Sequence, residues 1–141
     1  MEFNDWRVFA FGSAVFAALT AIFGKVGVAA INSNLATFIR TIVILLVTAM
    51  IISVRKEWRT TEALDSRSIT FLILSGIATG ASWLCYYRAL QMGSVSKVAA
   101  VDKMSVAIVI VLAILILGEQ PSGKTILGGL MIVVGSIVLA I

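Results

Sequence analysis

Polar residues interrupt this chain at widely spaced intervals, and between them run five stretches in which most positions are apolar. They extend from about Trp6 to Ala30, Asn34 to Val54, Ser68 to Gln91, Ser96 to Gly118 and Lys124 to Ile141. Crossing ~30 Å of hydrocarbon takes about 20 residues at a helical rise of about 1.5 Å, so each stretch is long enough to span a bilayer. The pattern predicts an all-α integral membrane protein of five transmembrane helices, a single domain over residues 1–141. Ile31-Asn32-Ser33 is so short a link that spans one and two are expected to be antiparallel neighbours. The longest loop runs from Arg55 to Arg67, with Asp65 or Ser66 placed to cap the next helix. Met92-Gly93-Ser94-Val95 and Glu119-Gln120-Pro121-Ser122-Gly123 form the remaining turns, and Pro121 sits where a helix start tolerates it.

Composition agrees. The chain is 60% hydrophobic and 13% charged, against about 25% charged residues in soluble domains. A soluble fold could not cover so much apolar surface, so membrane lipid is the surrounding partner. The net charge of +4 does not point to nucleic acid, because the basic residues lie at helix ends and in loops instead of forming a stripe. Cys85 is the only cysteine, which rules out an intrachain disulfide, and there is no histidine. Neither a metal site nor a cofactor is expected. Val8 to Phe23 followed by Val28-Ala29-Ala30 has some look of a signal peptide. The acids before Arg7, the lysine at position 25 and the four further spans argue against it.

Charge next to the spans gives an orientation. Arg7, Arg55, Lys56, Arg59, Arg67 and Lys124 fall on the N-terminal side and Arg88 and Lys97 on the other, six against two. The N-terminus is therefore expected in the cytoplasm and the C-terminus outside, in the cell (inner) membrane. Trp6 and Trp58 sit at one interface as belt aromatics.

Candidate chemistry lies in what lipid would exclude. Arg40, Asp102 and Lys103 fall inside spans, with Lys25, Arg88 and Lys97 nearer the ends. A charge at a helix centre costs about 2.5–3.5 kcal/mol, so such groups face protein or a wet cavity. Lys25, Arg88 and Lys97 are expected to snorkel to the outer headgroups. Arg40 lies about 9 Å into span two. It is expected to pair with Asp102 as a gate or structural pair, leaving Lys103 to meet a substrate. Ser75, Thr79, Ser82 and Tyr86 in span three follow steps of four, three and four and share a face. Thr37, Thr41 and Thr48 repeat the pattern in span two, as do Ser13 and Thr20 in span one. These stripes suit a shared polar cavity, although Ser and Thr also bond their own helix backbone. Gly76 with Gly80, and Gly128 with Gly135, offer close helix packing within or between chains. No nucleophile with a base, no paired carboxylates and no phosphate loop appear, so no enzyme is expected.

Several segments carry a resemblance to a known family. They are Gly24-Lys25, Phe38-Ile39-Arg40, Tyr86-Tyr87-Arg88-Ala89-Leu90-Gln91-Met92-Gly93, Leu115-Ile116-Leu117-Gly118-Glu119 and the glycines of the last span. Together they resemble one EamA domain of the drug/metabolite transporter superfamily. Two departures stand out. Many members have a proline in the middle of span four, where this chain reads Val101-Asp102-Lys103-Met104-Ser105-Val106, so a proline kink is not carried over. Small multidrug relatives use a glutamate in the first span for proton exchange, and this first span has no carboxylate. The resemblance implies half of a ten-helix inverted-repeat fold, and hence a homodimer or a heterodimer with a related five-helix chain. It implies a secondary transporter or exporter of a small-molecule substrate working by alternating access. The outer-half cations lean toward an amino acid or organic anion. A non-transporting scaffold or regulatory subunit and a flippase for a lipid-linked head group are the competing readings.

Overall fold

A helix begins with amides that have no partner inside it, and this sequence supplies acceptors at the right places. In the computed structural model, which describes residues 5–58 and 65–141, Asp5 Oδ1 accepts from the Arg7 amide at 3.0 Å and opens helix α1, Trp6–Gly27. Asn32 Oδ1 accepts from the Asn34 amide at 2.8 Å and opens α2, Ser33–Arg55. Of the two residues able to cap the third span, Asp65 does so: its Oδ2 takes the Ser68 amide at 3.3 Å, and α3 runs over Ser66–Met92. Ser122 Oγ accepts from the Thr125 amide at 3.2 Å, placing Pro121 just outside the last helix. Arg59 and the loop residues up to 64 lie outside the described residues, as does Glu2.

Span four is not one uniform helix. It consists of α4, Val95–Asp102, then α5, Ser105–Leu112, then a wider π turn, Ala113–Leu117. Between α4 and α5 the Lys103 amide is shared by the carbonyls of Ala99 and Ala100, at 3.3 and 3.1 Å. The amides of Met104, Val106 and Ala107 bond three residues back instead of four. This is the signature of local 3₁₀ winding. A change of winding thus occurs where no proline kink was expected, and it is made by hydrogen-bond register alone.

The π turn ends on Gly118 at φ 68, a left-handed conformation that only glycine adopts without penalty. The amides of Gly118 and Glu119 both reach the Ala113 carbonyl, which gives the Leu-Gly-Glu segment a physical meaning as a helix stop. The last helix, α6, covers Gly123–Ala140. All five spans are long and apolar enough to cross a membrane. Their large side chains mostly face outward, Phe16 being 70%, Leu115 75% and Val138 67% exposed. Such faces suit the apolar interior of a membrane.

Two compact units can be distinguished, Met1–Lys25 with Met92–Ile141 and Val26–Gln91. In the first, α6 packs on α4 and α5. Gly129 makes the contact close: a Cβ there would lie 2.8 Å from Ile110 Cδ1. Ala100 and Ser136 are buried in the same unit. In the second, Val28, Tyr87 and Leu90 are buried, as are Ser33, Ala36 and Thr37. The glycines expected to pack, Gly76, Gly80, Gly128 and Gly135, all have open space where a Cβ would go. Among the glycines whose surroundings are described, close approach falls to Gly129, which is turned about 100° around α6 from its neighbour Gly128.

Candidate functional site

Arg40 stands seven residues after the start of α2, about 10 Å along its axis. Its guanidinium carbon is 2.9 Å from the centroid of the Trp83 ring and 5.7 Å from that of Tyr87. So close an approach to an indole centroid is open only over the ring face. Trp83 and Tyr87 are four apart on α3 and so share a face. Their rings meet edge to face at 5.7 Å and 84°, and Tyr86 meets Trp83 similarly at 6.0 Å and 71°. Tyr87 is buried and Arg40 part-exposed. A cation over an aromatic face gains about 0.5–1 kcal/mol when exposed and about 2 kcal/mol when desolvated, which helps an apolar span to hold this part-exposed charge.

Trp83 did not stand out in the sequence, where the hydroxyl-bearing residues of span three are the ones that suggest a polar cavity. The available signal was an aromatic pair at i and i+4 in one span facing an arginine in another.

Asp102 was expected to pair with Arg40, and Lys103 to meet a substrate. Within the unit that holds them both, Lys103 Nζ donates to Asp102 Oδ2 at 3.1 Å. The two charges of span four neutralise each other. The pair is not deeply buried: the Lys103 side chain is 57% and the Asp102 side chain 37% exposed.

The threonine hydroxyls are committed to their own helices. Thr37 donates to the Ser33 carbonyl at 2.9 Å, Thr41 to Thr37 at 2.9 Å and Thr79 to Ser75 at 2.8 Å. Thr48 does the same, to Ile44 and Leu45. Their oxygens keep acceptor capacity but bring no free proton. Thr37 is buried, whereas Thr41, Ser75, Thr79 and Ser82 are exposed on the single chain and Tyr86 is half-buried.

The three cations near span ends each have a protein partner. Lys25 Nζ donates to the Gly93 carbonyl at 2.8 Å, just past the end of α3. Lys97 Nζ donates to the carbonyls of Ala140 and Ile141 at 3.2 and 2.9 Å. Arg88 donates to Gln91 Oε1 at 3.2 Å, and Gln91 Nε2 donates to the Val28 and Ile31 carbonyls at 3.1 and 2.8 Å. Ammonium groups are favoured there because helix C-termini carry partial negative charge. The charge of these span-end cations is therefore largely answered by carbonyl oxygens of the protein.

Comparison with known proteins completes the picture. The EamA-like transporter family matches residues 5–141. This chain belongs to that family. Among EamA-like relatives, a Sinorhizobium protein named "Uncharacterized transporter in cobO 3'region" is 48% identical over 138 residues, 98% of this chain and 98% of its own length. That relative is therefore no longer than one five-helix unit. No solved structure matches the EamA-like chain.

Proposed function

We propose that this chain is a secondary transporter of a small metabolite bearing an anionic group. It works by alternating access with a second five-helix chain, a copy of itself or a related one. It lies in the cell membrane with the N-terminus cytoplasmic and the C-terminus external, as the charge bias favours. The observation that carries this reading is the exposure of polar groups within spans. The Asp102–Lys103 pair in span four is part-exposed on the single chain, and so are Ser75, Thr79 and Ser82 on α3. Facing lipid, each charge would cost about 2.5–3.5 kcal/mol, so protein or a water path must cover them. A second chain set around a substrate path meets that need, and the open glycines Gly76, Gly80, Gly128 and Gly135 give it room to approach. Family membership and a relative named as a transporter support the same reading.

Proteoliposomes test it. Purified chain reconstituted at a density that allows pairing is expected to move radiolabelled organic acids or amino acids, and Lys103→Met to reduce that flux at least about tenfold by stranding Asp102. Flux from vesicles holding strictly one chain each would remove the two-chain arrangement. The absence of flux for a broad solute panel would favour a scaffold instead.

A further inference from the structure

The mid-span charges do not balance. Asp102 and Lys103 cancel at 3.1 Å, and Lys25, Lys97 and Arg88 are engaged at span ends by carbonyls and by Gln91. Arg40 has the Trp83 and Tyr87 rings for neighbours and the Tyr87 hydroxyl for a hydrogen-bond partner, and among the described residues of its own unit it forms no ion pair. One uncompensated positive charge is left about 10 Å into a span. From this we infer that the Arg40–Trp83–Tyr87 cluster is an anion-recognition element and that its ligand is a monocarboxylate. The inference rests on the transporter reading for its biological use, and names the substrate class.

The geometry specifies the ligand. Stacking on Trp83 occupies one face of the guanidinium, whereas its five N–H donors lie in the plane and point outward from the rim. A planar carboxylate can accept two of them side by side, a match that a lysine ammonium does not offer. The indole platform orients the fork before the ligand arrives, which lowers the entropy lost on binding. Charge selects within the oxyanions. A single guanidinium neutralises a single negative charge, so a phosphate dianion would leave a net negative charge in a low-dielectric setting. The organic part of the ligand has the Trp83 and Tyr86 rings beside it, so an apolar or aromatic substituent is favoured over a polyol.

Trp83 is also the reporter. In a Trp6→Phe, Trp58→Phe background its emission is the only indole signal left. Benzoate titrated into protein held in zwitterionic-lipid nanodiscs is expected to change that emission saturably, whereas chloride and inorganic phosphate at equal ionic strength leave it nearly unchanged. Arg40→Lys keeps the charge and loses the fork, and is expected to weaken benzoate binding about tenfold or more. Arg40→Gln is expected to abolish it. Equal affinity in Arg40→Lys and wild type, or a phosphate response matching that of benzoate, would overturn the proposal. So would nanodiscs containing phosphatidylglycerol in which the lipid alone shifts the emission and blocks benzoate, since the anion would then be a headgroup. The two readings fail separately: saturable benzoate binding without flux sinks transport and leaves this site standing. Flux of neutral solutes without benzoate binding sinks this site alone.

Discussion

The odd-numbered and even-numbered spans finish in different ways. Where spans one, three and five end, the free carbonyls are met by side chains from far along the chain: Gln91 reaches Val28 and Ile31, Lys25 reaches Gly93, and Lys97 reaches Ala140 and Ile141. Spans two and four end on a residue in the left-handed conformation, Lys56 at φ 59 and Gly118 at φ 68, whose own amides close the last turn. The first kind of ending is a tertiary contact and holds elements together. The second is a local stop that shapes only its own helix. Each of the long-range bonds joins residues of one compact unit, so it ties that unit together, whereas the local stops are set by backbone geometry alone.

The comparison can be broken most strongly at the tied ends. Lys25→Met removes a part-buried charge-assisted bond and leaves the Gly93 carbonyl without its donor, an expected loss of about 1.5–3 kcal/mol in detergent unfolding titrations. A loss below a few tenths would mean that lipid headgroups or water replace the lysine there.

Gln91→Glu sharpens the point, because the carboxylate can still accept from Arg88 but no longer donates to Val28 and Ile31. If the donor side matters, this variant is expected to lose about 1–2 kcal/mol despite a stronger attraction to Arg88.

The local stops carry effects that are no larger. Gly118→Ala places a Cβ on a left-handed residue with open space around it, so the penalty is conformational alone, about 1–2 kcal/mol by the same titration. Lys56→Gly runs the other way. Relief of the left-handed strain is offset in part by the greater freedom of glycine in the unfolded chain, leaving an expected gain of about 0.5 kcal/mol. A loss at Lys56 instead would show that its ammonium, and not its backbone, is what that end of α2 needs.

The sequence by itself determined the membrane class, the five spans and most of the helix boundaries. Apolar periodicity, the caps at Asn32, Asp65 and Ser122, and the stop at Gly118 all act over a few residues, so their cause and their effect are adjacent in the text. The helical period also showed which residues share a face, but not what that face meets. That Arg40 rests on Trp83, that Lys103 turns back to Asp102, that Lys25 and Lys97 close distant helix ends, and that Gly129 takes the close contact in α6 were decided only in three dimensions. Each depends on competition among partners brought together by packing. In a low-dielectric setting the winner is whichever ring, carboxylate or carbonyl lies within a few ångströms, a distance that spacing along the chain does not encode.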